Sequence, residues 1–425
     1  MLSPLYRLVR NRAAEGKLLA SITNRCTKIA IKIISRLSAI LKKLARPIDR
    51  LLAWPVCFII SKRARVKNQV LFITFQSCYT CNPKWITEAL LRANVGFPLV
   101  WAINSKNASV YPAWVNLVEL GSYEFYREAA SSRIVVENMI GLERWPIFKK
   151  KDQFWIQTWH GALGIKKLET DQKWQSAKKN CHRDTNFLYS NSTFETEVYH
   201  STWWKDVPAL EVGHARNDIL FTADEVLKAK IRDKVNQALG ITSDVKIFLY
   251  APTFRDRETD RFCALDYALI KNALEERFGG TWHIALRLHF RLKQSRMTKG
   301  ASLPDCVSDA TAYDDIQELM LCADAGLTDY SSWIFDYVLT RRPGFIILPD
   351  REYFESTRGF YYPIETTPFP IAADSQGVAE NIRGFDAAKY DEAVTRFLKE
   401  RGCVEDGHAC ERIVEHILGL MKDRP

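Results

Sequence analysis

Acidic side chains are almost missing from the first 66 residues, where Glu15 and Asp49 stand against 15 Lys or Arg. That head carries a net +13, while the remaining residues hold 45 basic and 48 acidic groups and come out at −3, so the overall +10 belongs to the N-terminal segment alone. Long apolar runs are missing as well. The run over 51–60 has ten residues and contains Pro55, far short of the roughly 20 that a membrane-spanning helix needs. It reads as a segment that dips into an interface without crossing it. No small-residue cleavage site follows a compact apolar core, so no secretory signal is expected. Walker loops, GxGxxG, HExxH and GxSxG are all absent, which counts against P-loop kinases, dinucleotide-dependent dehydrogenases, zinc proteases and α/β-hydrolases. Ten cysteines are scattered through apolar stretches, as expected in a reducing compartment. Neither Cys78 and Cys81 nor the group Cys403, His408 and Cys410 has the companions a zinc site needs.

Within the basic head, Ile29, Ile33, Ile34, Leu37, Ile40, Leu41 and Leu44 fall at helical spacing while Lys28, Lys32, Arg36, Lys42 and Lys43 favour the other side. A detached basic block can bind nucleic acid or an anionic membrane, and this amphipathic pattern selects the membrane surface; no nucleic-acid partner is expected. Each Lys or Arg near such a surface contributes on the order of 1 kcal/mol, screened by salt.

Past the head, short β-rich runs alternate with helical patterns. Strands are expected over 69–75, 98–104, 133–138, 154–158, 186–190 and 210–212, then over 246–250, 283–289, 325–328 and 344–348. Helices are expected over 83–94, 123–132, 221–239, 267–278, 314–322 and 332–340. The alternation implies parallel sheets and an α/β class with two Rossmann-type doubly wound domains. The resulting division is a basic amphipathic segment over 1–66, one domain over 67–217 and another over 218–425, with the boundary near Asn217.

Ligands of open α/β sheets bind outside the carboxyl ends of the strands. Three such places carry chemistry. Gln157-Thr158-Trp159-His160-Gly161 runs an apolar strand into a histidine suited to act as general base, followed by a glycine that lets a substrate approach the backbone. Ala285-Leu286-Arg287-Leu288-His289 alternates, placing Arg287 and His289 on one strand face, fit either for a diphosphate or for a solvated edge. Thr328-Asp329-Tyr330-Ser331-Ser332 leads into a helical run and offers two hydroxyls and free backbone N–H groups to an anion, or else a plain helix cap. Arg255, after the strand at 246–250, and Arg358, beside Gly359 in a late loop, each add one guanidinium.

Together with Cys81-Asn82-Pro83-Lys84, Ala251-Pro252-Thr253-Phe254-Arg255 and Arg358-Gly359-Phe360-Tyr361, these blocks resemble the CDP-glycerol glycerophosphotransferase family of teichoic-acid and capsule polymer synthases, over Val70 to Glu415. The resemblance implies a GT-B-like fold with a membrane-associating element. It implies attack by an acceptor hydroxyl on the β-phosphorus of CDP-glycerol, with CMP expelled. His160 is then the base and His289 the second functional histidine at the diphosphate. Arg287, Ser331, Ser332, Arg255, Arg358 and Gly359 are implied to hold donor phosphates, with Gly161 and Asp329 supporting. The partners implied are CDP-glycerol or CDP-ribitol, a lipid-linked or polysaccharide acceptor, and an anionic membrane on the cytoplasmic face of a bacterial inner membrane, where the protein sits peripherally. No cofactor is assigned; a divalent cation such as Mg is compatible with the diphosphate, but no Asp or Glu cluster demands one. Ala162-Leu163-Gly164-Ile165-Lys166-Lys167 replaces the usual Thr-Pro-Leu-Lys, and Ala215 replaces the proline of Gly-x-Pro-Arg-Asn-Asp, a change expected to loosen an interdomain hinge. The rival readings are a GT-B glycosyltransferase using a nucleotide sugar and an inactive membrane adaptor.

Overall fold

The computed structural model describes residues 54–74, 78–104, 108, 111–139, 147–161, 163–164, 167–168, 184–253, 265–288, 303–357 and 359–422. The amphipathic stretch over 27–44, Arg255, His289 and Arg358 lie outside these residues.

One compact unit holds, among the described residues, the helix over 54–63 and residues 147–148. Phe148 meets Trp54 and Phe58 edge-on at 4.8 and 5.5 Å, and the Ser61 hydroxyl donates to the Phe148 carbonyl. Trp54, Val56, Phe58 and Ile59 are exposed.

The other unit contains both sheets. Its first part runs β1 (Lys67–Ile73), α1 (Cys81–Arg92), β2 (Leu99–Ile103), β3 (Asn116–Glu119), α2 (Tyr123–Ser131), β4 (Ser132–Glu137), β5 (Phe154–Gln157), β6 (Phe187–Ser190), α3 (Thr193–Ser201) and β7 (Ala209–Glu211). A 3-10 segment, Ala215–Phe221, then leads to α4 (Glu225–Leu239), β8 (Lys246–Tyr250), α5 (Tyr267–Phe278), β9 (Trp282–Leu286), β10 (Val307–Asp309), α6 (Ile316–Cys322), β11 (Ala325–Thr328), α7 (Ile334–Tyr337), β12 (Gly344–Ile347), α8 (Arg351–Thr357) and β13 (Ile371–Ala372). Three further helices follow, α9 (Ser375–Arg383), α10 (Ala387–Glu400) and α11 (Ala409–Lys422).

Val70 to Ile73 and Ile247 to Tyr250 are buried without a polar face, as parallel strands covered on both sides must be. The strand orders are β3-β2-β1-β4-β5-β6-β7 and β10-β9-β8-β11-β12-β13, and every pairing is parallel. Each order reverses once, between β1 and β4 and between β8 and β11, and such reversals open the crevice in which doubly wound sheets bind ligands.

Three expectations are corrected. β9 stops at Leu286, so Arg287 and Leu288 lie past the strand rather than along a basic face; β9 is also interior, paired on both sides, which removes the solvated-edge reading. The helix expected over 332–340 is a single α turn, Ile334–Tyr337, tightening into a 3-10 turn over Val338–Thr340, too short for a strong macrodipole at Ser332. Finally, α11 returns to the first sheet, although 218–425 was expected to form one domain. Its apolar stripe of Ile413, Ile417, Leu420 and Met421 is buried; Cys410 Sγ reaches the Trp85 carbonyl, Arg133 Nε donates to the Leu420 carbonyl, and the Tyr189 hydroxyl meets His416 Nδ1 at 2.8 Å.

Candidate active site

At the carboxyl edge of the first sheet, Glu137 of β4 pairs with Gln157 of β5, so Asn138 and Thr158 leave the sheet side by side. The chain turns sharply at Trp159, whose φ of 49° is left-handed for a bulky residue. Three groups hold it there. Its N–H donates to Gln157 Oε1 at 2.8 Å, Asn82 Nδ2 donates to the Thr158 carbonyl at 3.1 Å, and its indole packs among Trp203 and Trp204. His160 then stands exposed, with Nδ1 2.6 Å from the Asn138 carbonyl. A carbonyl only accepts, so Nδ1 carries a proton, and when the ring is neutral the lone pair lies on Nε2. At Gly161 a Cβ would lie 3.0 Å from the Trp159 indole, and its carbonyl accepts from Arg216 Nη2.

The second sheet places Arg287 past β9, Thr253 past β8 and Asp329 to Ser332 past β11, the carboxyl ends of three adjacent strands around the reversal point. Asp329 is buried and accepts from the Thr253 and Tyr330 N–H groups at 2.8 and 2.6 Å, stapling two turns together. Ser331 and Ser332 are half-buried, and neither hydroxyl has a hydrogen-bond partner among the described residues. Arg287 donates from Nη2 to the Tyr313 carbonyl at 3.3 Å, while its buried Nε–H has no partner among the described residues. Burial lowers its pKa, with Asp315 and Asp314 opposing. Leaving a buried guanidinium N–H unpaired is costly, and an anionic oxygen would satisfy it.

The late loop joins these edges. Tyr330 stacks on Phe354 at 3.7 Å and reaches Phe360, Gly359 adopts a left-handed φ of 74°, and its carbonyl accepts from the Lys167 N–H. The Tyr361 hydroxyl accepts from the Leu168 N–H at 2.9 Å. Thus the Asp329 to Ser332 and Gly359 to Tyr361 blocks meet the chain that follows His160.

Polar residues with no role assigned from the sequence complete the surroundings. Lys84, on α1, bridges Asp315 and Glu318 at 2.6 and 3.1 Å; burial opposes its charge, but the two carboxylates raise its pKa overall. Arg216 and Asn217 both bond Asp336 of α7, and Asn217 also donates to Glu405. Ala215 is fully buried, with the Cys410 thiol on its carbonyl, and Asp218 accepts from the Ala409 and Cys410 N–H groups. Where a loosened hinge was expected, this segment is clamped on several sides. The signal in the sequence was a polar triplet, Arg216-Asn217-Asp218, at the junction between sheets. His408 pairs with Glu411, and no metal-holding group of His, Cys, Asp and Glu occurs among the described residues.

Two doubly wound parallel sheets with polar groups gathered at both carboxyl edges define a GT-B-like transferase fold. The solved structure of the wall teichoic acid polymerase TagF superposes with a TM-score of 0.74 at 26% identity, covering 91% of this chain and 98% of that one. A teichoic acid poly(glycerol phosphate) polymerase of Staphylococcus epidermidis is 30% identical over 369 residues, and one of Bacillus spizizenii 28% over 386. These alignments cover 81% and 85% of this chain but 50% and 94% of the relatives, so the chain spans half the length of the first and nearly all of the second. Residues 56–419 match the family described as CDP-Glycerol:Poly(glycerophosphate) glycerophosphotransferase. The chain belongs to that family.

Proposed function

We propose that the protein transfers glycerol phosphate from CDP-glycerol to a hydroxyl of a teichoic-acid-like or capsular polymer and releases CMP. The observation that carries this reading is the Nδ1 bond to the Asn138 carbonyl, which aims the basic lone pair of His160 through Nε2. The acceptor O–H gives its proton to Nε2, its oxygen bonds to the β-phosphorus, and the bond from that phosphorus to the CMP oxygen breaks. Arg287, Ser331 and Ser332, with Arg255, His289, Arg358 and Gly359, take the diphosphate charge and neutralise the departing CMP. Residues 67–217 together with α11 serve the acceptor, and the rest of 218–425 the donor. Relatives named for ribitol phosphate, such as a Bacillus spizizenii primase 27% identical over 287 residues, make CDP-ribitol the second donor to try. CMP release is measured with each donor separately. Turnover of a nucleotide sugar, with no release from either CDP-polyol, overturns the reading.

The +13 head and the exposed Trp54, Val56, Phe58 and Ile59 support peripheral attachment to an anionic membrane on its cytoplasmic face, where a lipid-linked acceptor would lie. No helix among the described residues is long and apolar enough to cross a membrane. The full chain should sediment with anionic vesicles at low salt, and Trp54→Ala with Phe58→Ala should weaken that severalfold. Equal binding to neutral vesicles would defeat the electrostatic part.

A further inference from the structure

We propose that Arg216 is a positioning residue, a bracket that sets the His160 loop relative to the Ser331–Ser332 turn. The inference rests on the phosphotransfer reading of those two places.

Arg216 leaves the 3-10 segment Ala215–Phe221 and is 3% exposed. Its guanidinium forks onto Asp336, Nε to Oδ2 at 2.9 Å and Nη2 to Oδ1 at 3.3 Å. The same Nη2 donates to the carbonyl of Gly161, the residue after the base. Nη1 meets Cys81 Sγ at 3.6 Å, and the backbone N–H donates to Asn82 Oδ1, whose own amide holds the Thr158 carbonyl. Asp336 is also held by Asn217 and lies on the turn directly after Ser331 and Ser332. One planar group therefore ties the base loop of the first sheet to the helical turn that presents the two serines of the second.

A buried ion pair is weak evidence for stability, because desolvation cancels most of its attraction and apolar replacements of similar volume are often neutral. What a guanidinium supplies here is rigidity: a planar fork transmits orientation as well as distance. The reaction needs that, since the attacking oxygen and the phosphorus must approach to about 3–3.5 Å in line, and a misplacement of about 1 Å costs about a hundredfold.

The test replaces the pair by apolar groups, Arg216→Met with Asp336→Leu, in the full chain, with Arg216→Lys as the milder variant should the double one not fold. Wild-type CMP release from CDP-glycerol, and its loss in His160→Ala, establish the reaction first; absence of both defeats the functional reading and leaves the bracket to amide exchange. For a folded variant of unchanged melting temperature the expected result is a fall in kcat of about tenfold to a hundredfold, KM for CDP-glycerol within about threefold, and faster amide exchange over 158–161. Wild-type kcat, a loss confined to KM, or unchanged exchange in that loop overturns the proposal.

Discussion

The two carboxyl edges differ in how fully their polar groups are satisfied. On the first sheet His160, Trp159 and Gly161 are each held by named partners: the Asn138 carbonyl, the Gln157 amide and the Arg216 guanidinium. On the second sheet Asp329 is stapled in this way, while the Arg287 Nε–H and the two serine hydroxyls have no partner among the described residues. A base must be aimed before substrate arrives, because its catalytic value depends on geometry. Groups that bind an anion can be left unsatisfied, because the ligand itself completes them. On the proposed function, the contrast separates a side that aims a base from a side that receives phosphate.

Removing the aimed base is expected to have the largest effect: His160→Ala should lower kcat by about 10³-fold, in the range general-base catalysis supplies, with donor KM nearly unchanged, as read by CMP release. A parallel rise in KM would break the division of labour. Next comes the receptive side. Arg287→Gln, and separately Ser331→Ala with Ser332→Ala, should each weaken CDP-glycerol binding by about tenfold to a hundredfold, since a hydrogen bond to a charged group contributes about 1.5–3 kcal/mol; calorimetry with CDP-glycerol checks this, and tighter binding would show those groups were not waiting for phosphate. The smallest effect concerns Glu405, whose carboxyl accepts from the His214 N–H and from Asn217. Burial lifts its pKa from 4.5 to about 7, against His214 and Asn217, which lower it. Between those values the unfolded chain ionises the group while the folded chain keeps its proton, so stability falls as pH rises through this window and the full penalty stands above about 7. Glu405→Gln keeps the acceptor oxygen and removes the titration. Its melting temperature should decline less than the wild type's between pH 4.5 and 7, and an identical decline would place the titration elsewhere.

Much of this site is legible in the chain because chemistry at strand ends is local. Apolar runs such as Val70 to Ile73 and Ile247 to Tyr250 announce buried parallel strands, and residues just past such strands, His160 after Phe154–Gln157 and Asp329 to Ser332 after Ala325–Thr328, must fall at a carboxyl edge. The strand beginning near His283 reads too long because Leu286 and Leu288 alternate with Arg287 even where the ladder has ended. Short edge strands such as Asn116–Glu119 and Ile371–Ala372 carry too little apolar pattern to be seen.

Composition and periodicity by themselves determined the basic head, the two parallel-sheet series and the position of His160 and the serine turn, because each depends on neighbours a few residues away. Which nitrogen of His160 carries its proton, what Gly161 makes room for, why α11 abandons the sheet it follows, and how Arg216 comes to join Gly161 to Asp336 were decided only in three dimensions. Those contacts join residues up to 325 positions apart, as Trp85 and Cys410 show, and a buried polar group takes whatever partner the fold brings near, whatever its distance along the chain.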